Sequence, residues 1–206
     1  LKRSIKQMIP DRKFASIISG GIDSSLVSWY VSREDNDANF VGLNNIGKDR
    51  VSCDVEKFEP FLGKEIKRVD ITKEKWLEAF YHVMATVMKD LPRSWSTVSY
   101  YLVSNAIKPR KVLFTGEAAD ELFGGYKDYL KPGTTKYSKY TRRDIFDEMP
   151  NEFKPEISAD PFLTDVINHI PVGCYAADTG AAINGVETRN PFLRFDIVRF
   201  ALSIPT

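Results

Sequence analysis

Ser19-Gly20-Gly21-Ile22-Asp23-Ser24-Ser25 is the stretch whose residue types carry chemistry most directly. Two glycines let backbone N–H groups approach an anion closely, three serines add hydroxyl donors, and a helix beginning there presents its positive end. These features suit a pyrophosphate, with Asp23 placed to hold a cation. The bland alternative is a strand-to-helix turn closed by a serine cap. The Lys-Ser/Thr ending of a Walker loop and the GxGxxG of a dinucleotide fold are both missing, which argues against a kinase, GTPase or dehydrogenase.

A second set of acids lies in Thr115-Gly116-Glu117-Ala118-Ala119-Asp120-Glu121. A helix beginning at Gly116 would put Glu117, Asp120 and Glu121 on one face, at spacings i, i+3 and i+4. Acids in a first helical turn can simply complement the helix dipole. If this segment follows a strand of the same sheet as the serine loop, its acids instead converge on one crevice and share a magnesium ion that bridges phosphate oxygens.

The elements that must position these residues follow from periodicity. Phe14–Ile18, Asn39–Leu43, Lys67–Ile71 and Lys111–Thr115 read as strands. Between them, helical spacing appears after Gly21 (Leu26, Val27, Trp29, Tyr30), over Val55–Leu62, from Trp76 to Val87, and from Val98 to Ile107. Strands alternating with helices predict an α/β fold, a parallel sheet with helices on both faces, whose ligands lie beyond the carboxyl ends of the strands. After Gly124-Gly125-Tyr126 the composition turns basic and proline-rich. Residues 1–130 therefore read as the core, and 131–206 as a loop-rich insertion from Lys131 to Pro161 followed by a C-terminal helical layer. Helices are expected there over Phe162–Ile170 and Val198–Leu202, around Pro191-Phe192-Leu193.

Composition bounds the function. The 206 residues include 29 Lys and Arg against 28 Asp and Glu, a net charge of +1. No bulk charge draws the chain to nucleic acid or to an anionic membrane, so small molecules are the expected partners. With 43% hydrophobic and 28% charged residues, the chain is too apolar and too evenly charged to be disordered or collagenous. Its length suits one domain with some excess. Cys53 and Cys174 show no metal spacing, and no run of about 18 apolar residues or signal-peptide core occurs, so a reduced, cytoplasmic setting is expected. Leu rather than Met at position 1 reads as a fragment.

Together, SGGIDSS at 19–25, TGEAADELFGGY at 115–126 and NGVETRNPFL at 184–193 resemble the ATP-pyrophosphatase synthetase domain of the asparagine synthetase family, in family order across nearly the whole chain. The resemblance implies an adenine nucleotide α-hydrolase-like fold, that of the PP-loop ATPases. It implies an AMP-forming ligase: the aspartate side-chain carboxylate attacks the α-phosphate of ATP, pyrophosphate leaves, and ammonia displaces AMP to give asparagine. By the same resemblance, Ser19, Gly20, Gly21, Asp23 and Ser24 bind pyrophosphate, and Asp23 and Asp120 hold Mg2+. Ile17 and Val41 flank the adenosine, and Gly116 and Glu117 meet the activated intermediate, with Glu117 and Asp23 as the catalytic pair. Glu117 stands where relatives that close β-lactam rings carry a tyrosine, which favours amide formation.

Three departures from the family pattern qualify these expectations. The family's glutaminase domain with its leading cysteine is not in this sequence, so ammonia is the expected donor unless a glutaminase domain or subunit supplies it. Ala176-Ala177-Asp178-Thr179 lacks the basic residue usually found on each side of the Ala-Asp pair, which leaves open another carboxylate substrate. The sequence stops at Ile204-Pro205-Thr206, short of the family's adenylation lysine, which leaves open a non-catalytic nucleotide-binding module.

The remaining candidates have plainer readings. His82 and His169 are expected as core or surface residues rather than ligands, and the two cysteines as ordinary thiols. Arg189 either binds substrate or phosphate or braces its turn through Glu187. Trp95, Tyr100 and Tyr101 either shape a substrate pocket or belong to the core. Lys136 to Arg143 reads as a solvated face.

Overall fold

The computed structural model describes residues 1–45, 55–87, 95–130 and 161–204. Cys53, most of the 131–161 insertion and the basic stretch 136–143 lie outside the described residues. In chain order the elements are α1 (Lys2–Met8), β1 (Ala15–Ile18), α2 (Ile22–Glu34), β2 (Asn39–Asn45), a 3-10 turn (Val55–Phe58) running into α3 (Glu59–Leu62), β3 (Ile66–Ile71), α4 (Lys73–Val87) and α5 (Trp95–Ala106). There follow β4 (Val112–Phe114), α6 (Ala119–Phe123), a 3-10 turn (Lys127–Leu130), α7 (Pro161–Ala182), β5 (Glu187–Arg189), a 3-10 turn (Pro191–Leu193) and α8 (Phe195–Ala201).

The strands form one parallel sheet in the order β3-β2-β1-β4-β5. The chain winds outward from β1 to β3 and then returns to the other side of β1 with β4. The switch point therefore lies between β1 and β4, the position at which such sheets bind ligands. Strands covered on both faces read as continuous apolar runs, and side-chain alternation sorts them between two cores. Phe14, Ile18, Phe40 and Phe114 pack with Val27 and Val31 of α2, Leu122 of α6 and Ala201 of α8. Ala15, Ile17, Val41 and Leu113 pack on the other face with Tyr100 and Val103 of α5 and Ala177 and Ala181 of α7.

The inner face of α2 is Ser24, Val27, Ser28, Val31 and Ser32, a helical repeat built partly of small hydroxyl residues. Their size lets the helix lie close on β1: Ser28 Oγ sits 2.8 Å from Ser16 Oγ and donates to the Ile17 carbonyl at 3.2 Å. Burial of Val27 and Val31, each with no exposed surface, contributes about 1.5–3 kcal/mol apiece. The first turn of α2 is thereby fixed at the carboxyl end of β1.

Two expectations are corrected. The helix expected over 162–170 runs on to Ala182, through Pro171. Pro171 forfeits one backbone hydrogen bond there, while the helix packs on α5 so closely that a Cβ on Gly180 would lie 2.2 Å from the Thr97 carbonyl oxygen. Glu187–Arg189, inside the stretch expected to join two helices, is the fifth strand. It pairs with β4, Leu113 opposite Thr188; three partly exposed residues leave no periodicity to read. Among the described residues no helix is long and apolar enough to cross a membrane.

Candidate active site

The serine loop closes on itself. Ser24 Oγ accepts the Ser19 N–H at 3.1 Å and lies 2.9 Å from Ser19 Oγ, while Ser25 Oγ donates to the Gly21 carbonyl at 2.7 Å. Gly20 has φ +84°, in the left-handed region that favours glycine. Gly21 caps α2, so Asp23 falls in the helix's first turn and the dipole's positive end points out of the loop. Among the described residues the Gly21 N–H meets a long 3.4 Å contact to Ser19 Oγ, a weak bond that an incoming anion can replace.

The second loop meets the first through Gly116. A Cβ placed there would lie 2.7 Å from Ser24 N, 3.0 Å from the Asp23 carbonyl carbon and 3.1 Å from Asp23 Cβ. Only glycine lets the turn after β4 press against the first turn of α2. The expected convergence of the two post-strand segments is thus a contact between backbones.

The arrangement of the three acids differs from the expected single helical face. The helix begins at Ala119, and Ala118 before it takes φ +75°, a left-handed conformation costing about 1–2 kcal/mol for an alanine. That kink leaves Glu117 outside the helix and turns it toward α5, where Tyr100 Oη donates to Glu117 Oε1 at 2.6 Å. Glu121 points elsewhere. It is 5% exposed, with Oε1 accepting from Tyr126 Oη at 2.6 Å and lying 2.6 Å from His169 Nδ1 of α7. Asp120 lies over Gly125, where a Cβ would fall 1.9 Å from its Oδ1.

Burial pushes the Glu117 carboxyl above the usual range, aided by the charges of Glu121 and Asp120 and opposed by the Tyr100 hydrogen bond and by His169. Burial, reinforced by Glu121, also raises Asp23 against its own helix-end hydrogen bond. Burial would raise Glu121 as well, but the bonds from His169 and Tyr126 hold it below the ordinary value. Neighbouring carboxyls are thus driven in opposite directions, a pattern that marks acid–base sites. The Cys174 thiol on α7 is pushed up to about 12 by burial and by Glu117, Asp178 and Glu121, so it stays protonated and is a poor nucleophile.

Among the described residues no three His, Cys, Asp or Glu side chains stand close enough to hold a metal. Mg2+ keeps water ligands and takes one or two carboxylates together with substrate phosphates, a donor set that Asp23 in the first turn of α2 and Asp120 in the first turn of α6 would supply. Ile17 and Val41 sit directly opposite each other on β1 and β2, both buried in the core beneath α5 and α7.

The plainer candidates also resolve. Arg189 braces its turn, with Nε donating to Glu187 Oε1 at 2.8 Å and Nη1 to the Met8 carbonyl. His82 rests against the Tyr101 ring with centroids 5.1 Å apart. Tyr100 is buried in the core and also touches the site. Spacing had singled out neither Tyr100 nor His169 as a partner of the acid cluster, because their partners stand 17 and 48 residues away. Tyr126, five residues beyond Glu121 in the same motif, carried the one local signal.

Comparison with known proteins agrees with this architecture. The asparagine synthase family model matches residues 1–169. A Methanocaldococcus jannaschii protein, provisionally named a glutamine-hydrolyzing asparagine synthetase, is 27% identical over 223 aligned residues, which cover 100% of this chain and 36% of that protein. The glutamine-hydrolyzing asparagine synthetases of Mesocricetus auratus and Homo sapiens are each 25% identical over 212 residues, 97% of this chain and 34% of theirs. The chain spans about a third of the length of these relatives. With its parallel sheet, its serine loop and its acidic turn at the switch point, it belongs to the asparagine synthase family.

Proposed function

We propose that this chain is the ATP-cleaving part of an amide-forming ligase that activates the side-chain carboxylate of aspartate. The carboxylate attacks the α-phosphate of ATP, pyrophosphate leaves, and ammonia displaces AMP from the acyl-adenylate to give asparagine. One observation carries the reading: Gly116 seats the turn after β4 against the backbone of Asp23 and Ser24. That contact supports a shared site for anion-binding N–H groups and carboxylates, as phosphate chemistry requires.

Ser19, Gly20, Gly21, Asp23 and Ser24 hold the pyrophosphate, Ile17 and Val41 flank the adenosine, and Gly116 and Glu117 face the activated carboxyl. Bound by Asp23 and Asp120, Mg2+ would supply neutralisation of charge on the phosphate oxygens. Glu117, with its raised affinity for protons, is suited to take one from ammonium. The participation of β5 in the sheet supports treating residues 131–206 as part of the same domain as the 1–130 core.

Pyrophosphate release from Mg-ATP, aspartate and ammonium by the full natural protein, beside Asp23→Ala, tests the proposal. Aspartate-dependent release that the substitution abolishes is expected; no release with any carboxylate refutes it. A second reading, the same chemistry on another carboxylate, is favoured by Ala176 to Thr179. Ala176 and Ala177 are buried, Asp178 accepts from Thr188, and no basic side chain is present in that stretch to pair with a second substrate carboxylate. Release with a different acid and none with aspartate selects it.

A further inference from the structure

Among the described residues, Glu117 is gripped on one oxygen and left open on the other. Tyr100 Oη donates to Oε1 at 2.6 Å, and the tyrosine, 8% exposed in the core under α5 and α7, has no room to swing away. Oε2 faces bare backbone on α7, where a Cβ on Gly173 would lie 3.1 Å from it. Any side chain at 173 would crowd that oxygen. The Glu117 N–H is itself tied to Thr115 Oγ1 at 3.2 Å, and Thr115 in turn donates to Asn190, so main chain and side chain are both fixed.

We propose that Tyr100 is a positioning residue that reserves Glu117 Oε2, in the gap kept by Gly173, as the proton acceptor for the nitrogen nucleophile. The proposal rests on the ligase reading above and adds which oxygen acts and what holds it. An N–H bond of the ammonium breaks and an O–H bond forms on Oε2, the electron pair staying on nitrogen. That pair then forms the N–C bond to the acyl carbon while the bond to the AMP oxygen breaks, its electrons leaving with AMP, and a second N–H bond breaks, its proton passing to water, which leaves the neutral amide. A carboxylate free to rotate would offer either oxygen in many orientations; one pinned by a buried phenol offers a single lone pair without reorganisation at the moment of reaction.

The groups that face Glu117 are Tyr100 from α5, Asp120 and Glu121 from α6, and His169 and Cys174 from α7. Of these, Tyr100 and His169 favour the ionised carboxylate, and the acids oppose it.

The test compares two half-reactions in the full natural protein: carboxylate-dependent exchange of pyrophosphate into ATP, which needs no ammonium, and amide formation with ammonium. In Tyr100→Phe, amide formation falls about tenfold or more relative to exchange, the loss expected for a misplaced general base. Its acidic limb also moves to higher pH, because a donor to the ionised form is gone. Parallel loss of both half-reactions, or an unmoved limb, overturns the proposal. Gly173→Ala, favoured by helix propensity, crowds Oε2 with the Tyr100 bond intact. It lowers the same ratio, and a ratio equal to wild type overturns the assignment of Oε2. Failure of exchange in the wild-type protein would instead refute the ligase reading. The Glu117–Tyr100 bond remains separately testable by the infrared carboxylate band, which shifts in Tyr100→Phe if the bond is present.

Discussion

Replacing Gly116 by alanine probes the contact on which the site depends. The added Cβ would stand 2.7 Å from Ser24 N and close to two atoms of Asp23. All three lie in the first turn of α2, which is anchored by the buried Val27 and by the Ser28 hydrogen bonds. No flexible side-chain end can yield, so the two loops must separate by about 0.7 Å to restore an ordinary contact of about 3.4 Å. Overpacking of this kind costs about 1–3 kcal/mol. At about 2–4 °C per kcal/mol for a chain of this size, the melting temperature falls by roughly 2–12 °C. Separation of a fraction of an ångström between the anion loop and the acids lowers turnover by up to about a hundredfold. Calorimetric unfolding together with titration of Mg-ATP measures both effects. Gly21→Ala is the contrast: its Cβ would meet nothing nearer than Ser19 Oγ at 3.6 Å and Gly21 already has φ −74°. Its stability should stay within about 0.5 kcal/mol of wild type while ATP binding weakens. A Gly116→Ala protein with wild-type melting and wild-type ATP affinity would show that the loops do not meet in this way.

Further outcomes follow from the electrostatics and packing. Because burial raises Glu117 above its unfolded value, its ionisation costs stability as pH rises through the folded-state pKa. Glu117→Gln should therefore melt higher than wild type at neutral pH, match it in acid, and lose amide formation, as differential scanning at several pH values beside the assay will show. Glu121 is held low by His169 and Tyr126 despite its burial, so its contribution is present above the unfolded carboxylate pKa and disappears as pH falls through the folded one. His169→Ala removes one of its side-chain bonds and should cost about 2 kcal/mol at neutral pH, a deficit in denaturant titration that narrows in acid. Asp23→Asn, by relieving a carboxylate that burial already disfavours, should leave the melting temperature equal or higher. It should also abolish the Mg2+ dependence of ATP binding measured by calorimetry. Gly180→Ala, with its Cβ 2.2 Å from the Thr97 carbonyl, should destabilise by about 3 kcal/mol in chemical unfolding.

The order of elements along the chain and the identity of the anion loop were legible from local pattern. Three of the five strands, β1, β2 and β4, are built on apolar runs that end in turn residues, β3 mixes apolar with charged residues, and the helices between them keep a 3.6-residue period. The SGGIDSS stretch carries its own reasons, since its glycine, its cap and its first-turn acid act within seven residues. Local chemistry of this kind depends only on near neighbours in sequence.

Tertiary structure decided what each acid does. Sequence placed Glu117, Asp120 and Glu121 on one helical face; the left-handed turn at Ala118 sends Glu117 to Tyr100 and Glu121 to His169. The resemblance gave Gly116 a place beside the activated intermediate but no structural reason to be glycine, and the fold shows that Gly116 seats a loop while Gly173 clears an oxygen. The strand Glu187–Arg189 and the continuation of α7 through Pro171 likewise exist because β4 and α5 lie alongside them. The physical reason is common to all of these: a carboxylate's proton affinity and orientation, like the worth of a missing Cβ, are set by atoms that only folding brings within a few ångströms, from elements tens of residues apart.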